Sequence, residues 1–163
     1  MQDREKSREQ LIDELEKLRI RLSIVQESEN ALTGFSKRLN LDQAQYLEEL
    51  EDFYQNTPCG YHSISADGKI LRINNTELGW LGYCRDEVTN RLNITEVITP
   101  DALVVFEKEF PKFKKRGWLK GLELEFQRKD GSTFPVLINA TAIHDDSGNY
   151  LMSRTIVFDI TER

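Results

Sequence analysis

From Leu11 the apolar positions advance by alternating steps of four and three, through Leu15, Leu18, Leu22 and Val25, and then through Leu32, Leu39, Tyr46, Leu50 and Phe53. That spacing is a heptad seam and predicts one long helix. The series Leu11, Leu18, Val25, Leu32, Leu39, Tyr46, Phe53 is apolar throughout, whereas the companion positions turn polar at Glu29, Ser36 and Gln43. Polar residues on a seam weaken it locally and favour one register or oligomeric state. At about 1.5 Å per residue such a helix runs to about 70 Å and overshoots a small domain, so a partner helix is expected, in a parallel homodimer. The alternatives are a solvated helix folded back on its own domain, and a break at "NLDQ", residues 40–43, with Asp42 capping a shorter second helix.

After Asn56 and Pro58 the period changes. "YHSIS", the turn "ADGK" and "ILRIN" predict a hairpin; "LELEFQR", "KDGS" and "TFPVLINATAI" predict a second; "DDSGN" then leads into a return strand, "YLMSRTIVFDI". The residues between carry helical signals, divided by Gly79, Gly82 and Pro100 into short pieces and a longer segment from about Asp101. The order is strand, strand, helices, three strands, an α+β arrangement with a five-stranded antiparallel sheet. The division falls between a helical dimerisation segment, residues 1–53, and a globular domain, residues 54–163.

Alternation assigns the two faces of that sheet. Leu122, Leu124 and Phe126 share one face against Glu123 and Glu125; Val136, Ile138, Ala140 and Ala142 oppose Leu137, Asn139, Thr141 and Ile143. On the last strand Met152, Ile156 and Phe158 alternate with Ser153, Thr155 and Val157. With helices on one face the second face is still apolar, so the N-terminal helix or a second subunit is expected to cover it.

Composition narrows the partners. The chain has 163 residues, an apolar fraction of 39% and a net charge of −6, enough for one core and too acidic for the basic footprint that nucleic acid or an anionic membrane requires. The charged opening "MQDREKSREQ" is no signal peptide and no apolar run spans a bilayer, so no membrane insertion and a cytoplasmic setting are expected. Both cysteines are then expected reduced, and the N-x-T triplets at Asn74, Asn93 and Asn139 coincidental.

The candidate chemistry begins with "PCGYH", where Cys59 and His62 stand three apart. On a strand they would point to opposite faces, and without a second ligand pair they cannot close a tetrahedral zinc site. His62 shares its face with Ile64, which makes it a half-buried structural histidine. His144 stands beside an acid in "IHDDSG", but in a strand-turn segment. No phosphate-cradling loop or nucleophile elbow is present, so no catalysis is expected of this chain.

Residues 52–163, with "NTPCGYHSISADGKILRIN", "ELGWLGYCRDEV", "RKDGSTFPV" and the closing "VFDITER" in that order, resemble a PAS domain of the kind found in bacterial signalling proteins such as sensor histidine kinases. The resemblance implies a PAS fold, five antiparallel strands with short helices on one face around a ligand cavity, and coiled coils that enter and leave the domain to carry signals. It implies a dimeric sensor relaying to a C-terminal output domain of kinase or cyclase type, the alternative being a ligand-free adaptor. Asp159 and Thr161 in "DITER" match the junction with the output helix.

Haem-binding relatives take an axial histidine from the longest helix, and Asp101–Gly117 contains none. Flavin-binding relatives place a reactive cysteine and ring-binding amides where this chain has Asn93, Phe126, Val136 and Val157, so neither cofactor is expected. Cys84, within "GYCRDEV", matches a helix-cap position. The expected interior is lined by Leu122, Leu124, Phe126, Val136, Ile138, Ala140 and Val157, faced by Trp80, Phe106, Phe110 and Trp118. Two readings stand: a filled core, or a modest apolar ligand in the room left by Ala140, Ala142, Ser153 and Thr155.

Overall fold

The computed structural model describes residues 8–162 and divides the chain after Leu50 into two compact units. The first unit is helical. Helix α1, Arg8–Asn56, is one unbroken element, rich in Leu, Glu, Arg and Gln, all strong helix formers. Asp13 and Lys17 pair one turn apart at 2.6 Å. The break considered at "NLDQ" does not occur, because Asn and Asp in a helix interior each cost only about 0.7 kcal/mol or less relative to Ala. The seam residues Leu11, Leu15, Leu18, Leu22, Val25 and Leu32 are 48% to 70% exposed.

The second unit contains β1 (Gly60–Ile64), β2 (Ile70–Ile73), α2 (Asn75–Leu81), α3 (Arg85–Val88), a 3-10 turn at Ile94–Glu96, α4 (Pro100–Arg116), β3 (Trp118–Gln127), β4 (Thr133–His144) and β5 (Tyr150–Asp159). The strands form one sheet in the order β2-β1-β5-β4-β3, with every neighbour antiparallel. The β1-β2 turn needs its glycine: Gly68 has φ 84°, and a Cβ there would lie 2.8 Å from the Asn93 side chain.

Helix boundaries follow their caps. Asn74 accepts from Glu77 N–H to start α2, and left-handed Gly82 ends it. Gly79 does not divide this segment; it lies inside α2 with nothing within 4 Å of where its Cβ would be. Thr99 caps α4, Pro100 occupies its first turn, and Gly117 at φ 87° ends it.

The core sits between the inner sheet face and the helices. Phe126, Val136 and Val157 are 0% exposed, as are Leu81, Val88 and Val97 opposite them. Burying each such side chain contributes on the order of 1.5–3 kcal/mol. On the outer face Ile156 (38%), Phe158 (41%) and Trp118 (49%) remain exposed. Trp118 therefore does not face the interior as expected. It opens β3 opposite Thr141, on the outward parity, with the Arg116 guanidinium 4.4 Å above its ring. Among the described residues no helix is long and apolar enough to cross a membrane.

Candidate functional site

Strand parity and the position of α4 create an interior space with a mixed lining. β3, β4 and β5 turn Leu122, Phe126, Ile138, Ala140, Ser153 and Thr155 inward, α4 lays Phe106, Phe110 and Phe113 across them, and a cavity of about 50 Å³ remains. That is room for a few atoms: a water needs about 10–15 Å³ and drug-sized ligands about 300–1,000 Å³. Of the expected lining residues, Phe106, Phe110, Leu122, Leu124, Phe126, Ile138 and Ala140 come together here. Trp80, Val136 and Val157 do not. Val136 and Val157 are sealed in the core, and Trp80 packs edge-on against Phe134 at 6.4 Å. Of the small residues, Ser153 and Thr155 line the space and Ala142 does not.

At the β1 end of the cavity lies an acid-imidazole pair. His62 is 3% exposed, more deeply buried than its sequence context suggests, because its inward parity places it beneath α2. Its Nδ1 meets Oε1 of Glu77 at 2.7 Å, and Glu77 is itself 1% exposed. The other carboxylate oxygen, Oε2, is buried without a partner. It lies 3.1 Å from where a Cβ on Gly60 would stand, with Trp80 at 3.0 Å, so the acid fits only because residue 60 has no side chain. A buried pair of this kind is costly to break on one side, by about 3–5 kcal/mol.

Glu77 also belongs to a polar junction. The Asn74 side chain accepts from Tyr61 N–H and donates to the carbonyls of Tyr54 (3.1 Å) and Cys59 (3.0 Å). Asn75 N–H donates to Gln55 Oε1 at 3.0 Å, and Thr76 Oγ1 to the Thr57 carbonyl at 2.6 Å. The Arg85 guanidinium donates to Gln55, Asn75 and the Ile73 carbonyl. Tyr54 packs edge-on against Tyr61, and burial pushes its hydroxyl up to about 12 despite the opposing pull of Arg72. The last turn of α1, residues 51–56, is thus fastened to α2 and α3 within the second unit.

The remaining candidates have structural places. Cys59 precedes β1 rather than lying on it, 3.7 Å from Thr57 Oγ1. Among the described residues no group of three metal-ligating side chains converges. Cys84 is the N-cap residue of α3, where the Glu87 carboxylate accepts from its N–H. His144 Nε2 meets the Lys114 carbonyl at 2.9 Å and joins β4 to α4. Asn93 is committed to the 3-10 turn and to the Asp67 carbonyl. At the end of β5, Asp159 Oδ1 accepts from Thr161 N–H at 2.9 Å and from its hydroxyl, a local turn cap.

Sequence reasoning missed Glu77 and the Arg85-Gln55 tie. An acid three residues after an asparagine cap has the pattern of a solvated first helical turn, and only the parity of His62 hinted at a buried partner.

An antiparallel sheet with a helical cap on one face and a small interior space is the architecture that the sequence resemblance implied. The family profile described as PAS domain matches residues 58–162. The chain belongs to the PAS domain family and contains a sensor domain of the type used in signalling proteins. It is 29% identical over 94 residues to the phosphoserine phosphatase RsbP of Bacillus subtilis, a match covering 58% of this chain and 23% of that protein. The PAS domain of an HTR-like protein from Haloarcula marismortui is 26% identical with a TM-score of 0.59, covering 76% of this chain and 99% of that one. A PAS domain from a two-component sensor histidine kinase shares the fold at 15% identity and TM-score 0.55, covering 76% and 98%.

Proposed function

We propose that this chain is the sensory part of a signalling protein, paired with a second copy along the heptad seam. It passes the state of its cavity through α1 and through the segment after Asp159 to an output unit. The output is a kinase, a cyclase or, by analogy with RsbP, a phosphatase; the chain itself acts as sensor and not as enzyme. The observation that carries the reading is the seam, whose leucines are 46% to 70% exposed along a helix whose last turn is fastened to the sensor domain. Apolar side chains at heptad spacing are stabilised by a facing helix, each contributing on the order of 1.5–3 kcal/mol on burial.

Light scattering of Leu18→Glu with Val25→Glu tests it. Dimer in the parent and monomer in the variant, with the sheet unit still melting cooperatively, is the expected result; a variant that remains dimeric sinks the coiled-coil reading. A ligand-free adaptor is the second reading, favoured by the small size of the cavity. Flavin is a poor match to the residues present, since about 50 Å³ is far below its bulk and Phe126, in the lining, offers its polar edge no partner.

A further inference from the structure

We propose that His62 is the residue with which the cavity reads a small, neutral, hydroxyl-bearing molecule, and that Glu77 carries the state of its ring to the end of α1. This rests on the sensory reading of the cavity above and names what that cavity takes.

The ring lines the cavity, is 3% exposed, and has Nδ1 committed to Glu77. Glu77 takes Nδ1, so Nε2 is the ring nitrogen left for an occupant. The other polar groups in the lining are engaged. Ser153 Oγ accepts from Ile64 N–H at 3.0 Å and from Thr155 Oγ1 at 3.0 Å, and Glu109 is paired with Lys112 at 2.9 Å. The lining otherwise is aliphatic and aromatic.

Against these largely apolar walls an anion would lose its hydration and meet the acid Glu109 rather than a countercharge, and Glu109 is already paired with Lys112, so the cavity favours neutral occupants. A space of about 50 Å³ limits the body to a few heavy atoms. A hydroxyl both donates and accepts, so it satisfies Nε2 whether that nitrogen carries the proton or not. The occupant class is therefore a short alcohol, its hydroxyl on His62 and its apolar end against Leu122, Phe126 and Ile138.

The path outward is contiguous. Glu77 holds the ring through Oε1 alone while Oε2 lies bare, so its carboxylate is not locked by a second bond and follows the ring. The helix that carries it begins with Asn74, Asn75 and Thr76, whose bonds run to Tyr54, Gln55 and Thr57. Contiguity supplies the route, and coupling is what the experiment must measure.

The full chain, with ¹⁵N-labelled histidine rings and backbone and ¹³C-labelled methyls, is titrated with ethanol and separately with xenon. Ethanol should shift His62 Nε2, the methyls of Leu122 and Ile138, and the amides of Gln55 and Thr57. Xenon, which cannot hydrogen-bond, should shift the methyls alone. Removing His62 by itself would strand Glu77, so the variant is His62→Phe with Glu77→Leu, which replaces the buried pair by apolar groups; it should keep the methyl response to xenon and lose the Gln55 and Thr57 response to ethanol. Methyls that respond to ethanol while Nε2 stays unmoved overturn the assignment of His62 and leave the cavity reading intact. A Gln55 response that survives in the double variant overturns the route through Glu77. If no methyl responds to either probe, the cavity reading itself falls and takes this proposal with it.

Discussion

Leu18 and Leu81 are the same residue in helices of one chain, yet the first is 55% exposed and the second 0%. The difference extends to the two units as wholes. In the second, helices and sheet bury Ile73, Val88, Phe126 and Val157 completely; in the first, the apolar stripe from Leu11 to Leu50 is exposed along its length. The sensor unit has a core of its own. Residues 8–50 hold backbone bonds, one-turn pairs and good propensity, and helices of that kind draw most of their stability from packing. The chain thus joins a self-sufficient fold to an element whose apolar stripe is exposed.

Taking the two apart should give the largest effect. A peptide of residues 8–50 is expected to lose most of its helical circular dichroism on dilution and regain it with concentration, whereas residues 51–163 should melt cooperatively at a temperature independent of concentration. Helicity of the peptide that does not vary with dilution would erase the contrast.

The strands were legible because alternation and the Asp-Gly and Ser-Gly turns report local geometry, and those patterns hold at β1-β2, β3-β4 and β4-β5. Parity also placed Leu122, Ile138 and Ala140 on the cavity side. What parity cannot show is which part of a filled inner face stays open. That depends on where α4 lays Phe106 and Phe110, so Val136 and Val157, with the correct parity, lie in solid core instead. Gly79 was misleading for a related reason: a helix tolerates glycine when its neighbours Leu78 and Leu81 are packed. Glu77 was illegible because its partner comes from β1, fifteen residues back, and nothing in "NTELGW" records that the first turn of α2 faces a histidine.

The second prediction attacks the self-sufficient side. Glu77→Ala removes the buried partner of His62 and should lower the stability of the sensor unit by about 3–5 kcal/mol. Thermal unfolding of the 51–163 unit reads that loss, while light scattering of the full chain should show the proposed dimer retained. A shift too small to measure would mean that the pair contributes nothing to holding α2 on β1.

Alkali should act on the same side more gently. Burial pushes the hydroxyls of Tyr54 and Tyr150 from their ordinary 10.0 up to about 12, with Tyr150 also donating to the Ile64 carbonyl at 2.9 Å. The folded state favours the neutral phenols, so their contribution is whole below about pH 10 and is lost as pH rises toward about 12. Melting temperature followed from pH 9 to 12 should fall over that window, and Tyr150→Phe should flatten part of the fall. The effect stays modest because both side chains are only half-buried. An unchanged melting temperature across the window would contradict the burial.

The smallest effect on stability is expected at the end of β5. Asp159 accepts from the amide and hydroxyl of Thr161, a cap that fixes the direction in which the chain leaves the sheet. Both residues are exposed, and a cap of this kind typically contributes about 1 kcal/mol. Replacing both by alanine should therefore lower the melting temperature of the sensor unit only slightly and leave the proposed dimer intact. Direction is a different matter. In a fusion of this chain to a helical output unit after residue 163, a loosened cap would let the next helix leave the strand at more than one angle, so basal output should change while the core stays as it was. If output is unaltered and the sensor unit melts much earlier, then Asp159 and Thr161 serve the fold of β5. The relay would then have to run through the α1 junction alone, where Gln55 and Arg85 meet.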